Sequence, residues 1–290
     1  MWCCLISVSF SIQAIVAPTA FIGSPGSITT LHYASNSNFV TGAYAPGQFG
    51  FNLADVSSPS ELSELPNGVS ALVFLGMCGG ADSAFVSAVE PFVGQAQVFG
   101  FYLMDDPDPT GSYGPLCPPT HLRAEADWIH THDRGARTFV VLMNLSSSRS
   151  PNYRGSYNPA NSHVDLYGLD VYPCRTDVSG CAFKDITAAV GAAENAGIPE
   201  QDIVPVYQAF GGGSYVDDSG GQYSLPTVAQ AKRMFRTWAS VVPDPVFDYT
   251  YSWGTQVGDT ALSGAPTLQG VFALHNMGSG AGYDFPLHRD

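Results

Sequence analysis

Charge is scarce in this sequence, and basic charge scarcer still: 12% of its 290 residues are charged, with only 11 Lys or Arg against 25 Asp or Glu. The formal net charge of −14 repels nucleic-acid phosphates and anionic lipid, so neither is an expected partner. The glycine-rich segments at Gly211-Gly-Gly and Ser219-Gly-Gly lack a Gly-Lys-Ser/Thr ending, which excludes a P-loop phosphate cradle. No Cys-x-x-Cys is present at zinc-ligand spacing, and the one close histidine pair, His130 and His132, falls on different faces of an expected helix. No metal and no cofactor are therefore expected. Apart from the first twenty residues, no apolar run is long enough to span a bilayer.

What the chain does have is 31 Gly, 21 Pro and 12% aromatic residues, a composition of many loops around a packed core rather than of disorder. Its length suits one α/β barrel. Residues 1–20 begin with an apolar run and end on Ala17-Pro-Thr-Ala20, which reads as a secretory signal peptide although it lacks a basic start. Residues 21–48, rich in Ser, Asn and Gly, read as an irregular lead-in, and 49–290 as a single barrel domain. Four cysteines follow the leader. Cys174 and Cys181 bracket a short loop and make one expected disulfide, and Cys78 and Cys117 then join the loops after two adjacent strands. Disulfides and a leader together point to a secreted or periplasmic protein, expected to be a monomer.

The barrel is read from a repeating pattern: short apolar runs, each ending in a polar residue and each followed by a helical period. Seven such strands are expected, within Phe49–Asp55, Gly68–Gly76, Phe99–Met104, Thr138–Asn144, Val164–Pro173, Asp202–Phe210 and Phe247–Trp253. Near-continuous apolar strands separated by helices are the mark of a parallel sheet covered on both faces. Seven or eight of them favour a (β/α)8 TIM barrel, here with one unit irregular, missing or hidden in the lead-in. The helix over Thr120–His132 carries Glu125, His130 and His132, which read as solvated residues. Asp165 and Asp248, at strand starts, read as structural.

Functional groups in such barrels sit at the C-terminal strand ends. Here those ends present Asp55, Cys78, Asp105 with Asp106, Asn144, Asp170 with Tyr172, Gln208, and Tyr251 with Trp253. Carboxylates, amides and aromatics without Lys, Arg or His suit a carbohydrate, whose apolar faces stack on rings while its hydroxyls bridge to polar groups. Asp105 and Asp106 are neighbours, so extended backbone would point them to opposite faces. Tyr249, Tyr251 and Trp253 would share one face.

Gly100-Phe-Tyr-Leu-Met-Asp-Asp-Pro107 and Gly168-Leu-Asp-Val-Tyr-Pro173 resemble the strand-end motifs Gly-Tyr-Tyr-x-x-Asp-Glu-Pro and Gly-x-Asp-x-Tyr-Pro of TIM-barrel glycoside hydrolases. The resemblance spans roughly Phe49 to Trp253 and implies hydrolysis of a poly- or oligosaccharide by paired carboxyls. Asp106 stands where that pattern has its proton-donating Glu, one methylene shorter. The implied catalytic set is Asp106 as general acid with Asp170 or Asp105 as base, nucleophile or stabiliser. The substrate contacts are Asp55, Tyr102, Asn144, Tyr172, Gln208, Tyr251 and Trp253. The Asp-Asp pair also resembles hexosaminidases of the O-GlcNAcase type, in which the substrate's acetamido group is the nucleophile. Two other readings remain: a non-catalytic carbohydrate-binding barrel, and a metal-dependent hydrolase using Asp55, Asp105, Asp106 and Asp170.

Overall fold

The computed structural model describes residues 30–278, so the expected leader lies outside the described residues. Eight parallel strands close into a barrel: β1 (Leu31–Ala34), β2 (Leu53–Val56), β3 (Ser70–Phe74), β4 (Val98–Met104), β5 (Arg137–Val141), β6 (Leu166–Leu169), β7 (Ile203–Gln208) and β8 (Phe247–Tyr251). Helices α1 (Pro59–Ser63), α2 (Ser83–Val89), α3 (Pro119–His132), α4 (Pro159–Ser162), α5 (Lys184–Asn195), α6 (Val228–Ala239) and α7 (Pro266–Gly278) alternate with them. This is the expected (β/α)8 architecture, and all seven sequence-read strands are present.

The eighth strand corrects the lead-in boundary. Leu31–Ala34, inside the segment expected to be irregular, pairs with β8 on one side and β2 on the other and closes the cylinder. β2 and β6 are equally short, but around Leu31–Ala34 it is polar residues that flank the strand and hide it.

Alternation along the strands separates two cores. Inside the barrel lie Tyr33, Leu53, Leu72, Tyr102, Phe139, Leu166, Val206, Phe247 and Tyr249, with Tyr102 and Phe139 rings 4.7 Å apart and Tyr33 and Tyr249 rings 4.8 Å apart. The larger outer core fills the space between strands and helices and takes in Phe85, Leu122, Ile129, Ile186, Met234, Trp238 and Phe272. Each helix buries one stripe: on α6, Ala231, Met234, Phe235 and Trp238 face the barrel, and Thr227 caps the N-terminus in a capping box with Gln230.

Both motif glycines serve this packing. A Cβ on Gly100 would stand 2.2 Å from the carbonyl oxygen of Arg137 on the neighbouring strand. One on Gly168 would press within 2.9 Å of Phe139 and Val141, so its absence leaves room for the Phe139 ring in the barrel.

The two expected disulfides, Cys78–Cys117 and Cys174–Cys181, are formed. The shorter closes a span of 7 residues, which corresponds to about 2 kcal/mol of stability from restriction of the unfolded chain. Replacing Cys174 and Cys181 with Ser is therefore expected to lower unfolding stability by about that amount in a denaturant titration.

Candidate active site

β4 delivers Asp105 and Asp106 to the C-terminal mouth, and the loop after β6 delivers Asp170. The strand ends at Met104, and Asp106 adopts a left-handed backbone with φ 44°, a conformation that Asp tolerates better than most residues. That turn breaks strand alternation. The charge of Asp105 bears on Asp106, and the charges of both bear on Asp170.

Asp105 and Asp106 are exposed at the mouth and Asp170 is half-buried, and the protein around them still disfavours ionisation. Burial, then the charge of Asp105, pushes the Asp106 carboxyl up to about 7. Asp170 is pushed well above the carboxylate range by burial first and then by Asp106 and Asp105. Asp105 is also raised by burial, but the Tyr102 hydroxyl donates to its Oδ1 at 2.5 Å and opposes the shift. Asp105 is thus the member that holds a stabilising hydrogen bond as an anion, while Asp106 keeps its proton to near neutrality. Asp55, half-buried at the end of β2, is raised by burial to about 6 and accepts the Asn36 N–H at 2.9 Å.

Beside the carboxyls stands an aromatic wall. Tyr172 packs 4.9 Å from Phe210, 5.5 Å from Tyr223 and 5.7 Å from Tyr251. The Tyr251 hydroxyl donates to Gln256 at 2.7 Å and meets that of Tyr215 at 3.0 Å. Tyr153 is buried where the charges of Asp170 and Asp106 both reach it. Sequence reading missed Phe210, Tyr215 and Tyr223 individually because the glycine-rich segment after β7 looked like a flexible rim. In the fold Gly211–Gly212 pairs with Asp259–Thr260, and Arg175 bridges to Tyr223. Tyr153 was hidden in a long loop whose Tyr, Asn and Pro were the only signal.

Three expected contacts are placed otherwise. Gln208 is fully buried: its Oε1 accepts the Cys174 N–H at 2.8 Å, and its Nε2 donates to the carbonyls of Cys174 and Ser224, each at 3.0 Å. Its amide is occupied in tying the loops after β6 and β7 together. Asn144 accepts from the N–H groups of Ser146 and Asn152 with Oδ1 and shapes the loop after β5. Trp253 lies beyond the end of β8, so strand alternation no longer aims it with Tyr249 and Tyr251. It packs in the outer core against Phe49 and Phe51.

Glu125 and His130 are also corrected. Glu125 on α3 is fully buried and accepts the Gly80 N–H at 2.9 Å. His130 Nε2 stands 2.9 Å from Asp165, which also accepts the Thr138 N–H and hydroxyl. Asp165 is thus structural, as read.

No protein-family model matches the sequence, and no curated protein is similar to it. Solved structures are similar in fold. A chitinase from Bacteroides thetaiotaomicron superposes with a TM-score of 0.52 at 12% identity, covering 88% of this chain and 98% of that one. The GH18 chitinase ChiB of Flavobacterium johnsoniae gives 0.51 at 8% identity over 84% and 93%. The chitinase-like agglutinin RobpsCRA of Robinia pseudoacacia gives 0.51 at 10% identity over 83% and 98%. At these identities the likeness is one of fold: the chain has the closed barrel that chitinase and other glycoside hydrolase structures share.

Proposed function

We propose that this protein is a glycoside hydrolase acting on a poly- or oligosaccharide, with Asp106 as general acid. The observation that carries this reading is the convergence of Asp105, Asp106 and Asp170 beside the Tyr172–Tyr251 wall, with Asp106 holding its proton up to about 7. A carboxyl protonated near neutrality can donate to a glycosidic oxygen, and a nearby ionised carboxylate can stabilise the developing oxocarbenium charge or activate the attacking group. Asp105, favoured as the anion by Tyr102, takes the second role. Asp170 is raised well above the carboxylate range by burial first and then by Asp106 and Asp105. Sugar rings would stack against Tyr172 and Tyr251, and Asp55 would receive a hydroxyl. No nucleic acid and no cofactor enter this scheme.

Secretion and a monomeric state belong to the same proposal. Two disulfides support an oxidising compartment, and among the described residues no helix is long and apolar enough to cross a membrane. A sugar-binding barrel without catalysis is the second reading, favoured by the shorter Asp106 in the donor position and by the fold likeness to an agglutinin.

Reducing-sugar release from a broad panel of poly- and oligosaccharides, chitin oligomers included, tests the choice. Release by the wild-type protein supports hydrolysis; binding without release selects the sugar-binding barrel. In the hydrolase, Tyr102→Phe removes the donor that favours ionised Asp105, so the acid limb of the kcat/KM–pH profile is expected to move to higher pH. An unmoved limb would remove Asp105 from the mechanism.

A further inference from the structure

We propose that His32, Asp248 and His275 form a second site, a binding site for a divalent transition ion of the zinc class, at the end of the barrel away from the carboxyls. His32 and Asp248 are register partners near the starts of β1 and β8. Since Tyr33 and Tyr249 point inward, His32 and Asp248 point outward, into the layer between barrel and helices. α7 brings His275 into that layer.

The ligand atoms are already gathered. His32 Nδ1 stands 2.9 Å from Asp248 Oδ2 and 3.0 Å from Oδ1, and His275 Nε2 stands 2.9 Å from Oδ2. Among the described residues this is the one group of three or more His, Cys, Asp or Glu ligand atoms lying within 4.8 Å of one another. With metal–ligand bonds of about 2.0–2.1 Å, ligands at right angles are about 2.9 Å apart and tetrahedral ones about 3.4 Å. The His–Asp separations of 2.9 Å are those of right-angle ligands and about half an ångström short of tetrahedral ones, so a tetrahedral ion needs the side chains to move apart by about that much.

The His32 ring also bonds the backbone of Asn276, and a ring held by a backbone group is the usual support of a metal-bound histidine.

All three side chains line a cavity of about 620 Å³, which gives room for water on the remaining coordination positions. Lys232 and Arg236 line it as well; their charge disfavours hard cations held by field alone and leaves ions that prefer imidazole. The mouth carboxyls Asp105, Asp106 and Asp170 form no such group among the described residues, so this site is separate from the proposed hydrolase site.

The test is equilibrium dialysis of chelator-stripped protein against zinc, with metal content and thermal unfolding measured on wild type, His275→Gln and Asp170→Asn. His275 is partly exposed on α7 but stacks on Phe235 at 4.2 Å, so the Tm of the metal-free variant is compared with that of metal-free wild type to separate lost packing from lost metal. Expected are one equivalent of zinc in wild type and in Asp170→Asn, a zinc-dependent rise in Tm, and affinity at least about tenfold weaker in His275→Gln. No retained zinc overturns the proposal and leaves the cluster as a hydrogen-bonded His–Asp–His group. Binding that survives His275→Gln, or that is lost in Asp170→Asn, overturns it too.

Discussion

Asp106→Asn is expected to lower kcat on a cleaved oligosaccharide by about 10²–10⁴-fold, the usual worth of a positioned general acid, with KM little changed. The asparagine side chain keeps nearly the same shape and the left-handed backbone, so ground-state binding survives while proton donation does not. The pH profile supplies the second half of the test. Asp106 holds its proton up to about 7 because burial and then the Asp105 charge oppose its ionisation. The donor is therefore present below that value and lost above it, and wild-type kcat/KM is expected to fall as pH rises through about 7. In Asp106→Asn that basic limb should be absent from the residual rate. A variant with full activity, or one that retains the limb, would place the acid elsewhere.

The barrel was legible because a strand buried on both faces has a simple signature, an apolar run closed by a polar residue, and seven strands lie in runs that show it. β1 does not, its four residues being set among Thr, Ser and Asn. The acidic cluster was legible as residue types at strand ends, but its arrangement was not. Strand alternation applies only to extended backbone, and here the strand ends at Met104 with a left-handed turn at Asp106. Gln208 and Asn144 show the opposite limit. An amide at a strand end looks the same in sequence whether it awaits a ligand or holds a loop, and the choice depends on backbone groups brought from Cys174, Ser224 or Asn152. Trp253 followed the alternation of β8 on paper for two residues more than the strand runs. The disulfide pairs were recoverable because loop order in a barrel restricts which cysteines can meet.

Glu125 was the least legible of all, and replacing it should have the largest effect on stability. A glutamate among Arg123, Asp127 and His130 on a helix reads as solvated, yet it is fully buried against the loop after β3, where Gly80 donates to Oε1 and Oε2 has no partner. Burial carries its carboxyl from an ordinary 4.5 to about 7, against the opposing backbone N–H groups of Gly80 and Gly79. A group raised in the folded state binds its proton more tightly there than in the unfolded chain, so stability is fully present below about 4.5 and declines as pH rises to about 7. Above that, the ionised carboxylate costs on the order of 2–3 kcal/mol. Glu125→Gln keeps an acceptor for Gly80 and cannot ionise. It is expected to match wild type at pH 4 and to exceed it by about that amount at pH 8, measured as the difference in denaturant unfolding free energy at the two pH values. Equal stability at pH 8 would show that the loop after β3 opens to hydrate the carboxylate. Because Cys78 and Cys117 staple that same loop at the rim of the mouth, the ionisation of Glu125 then would reach the proposed site by moving its wall.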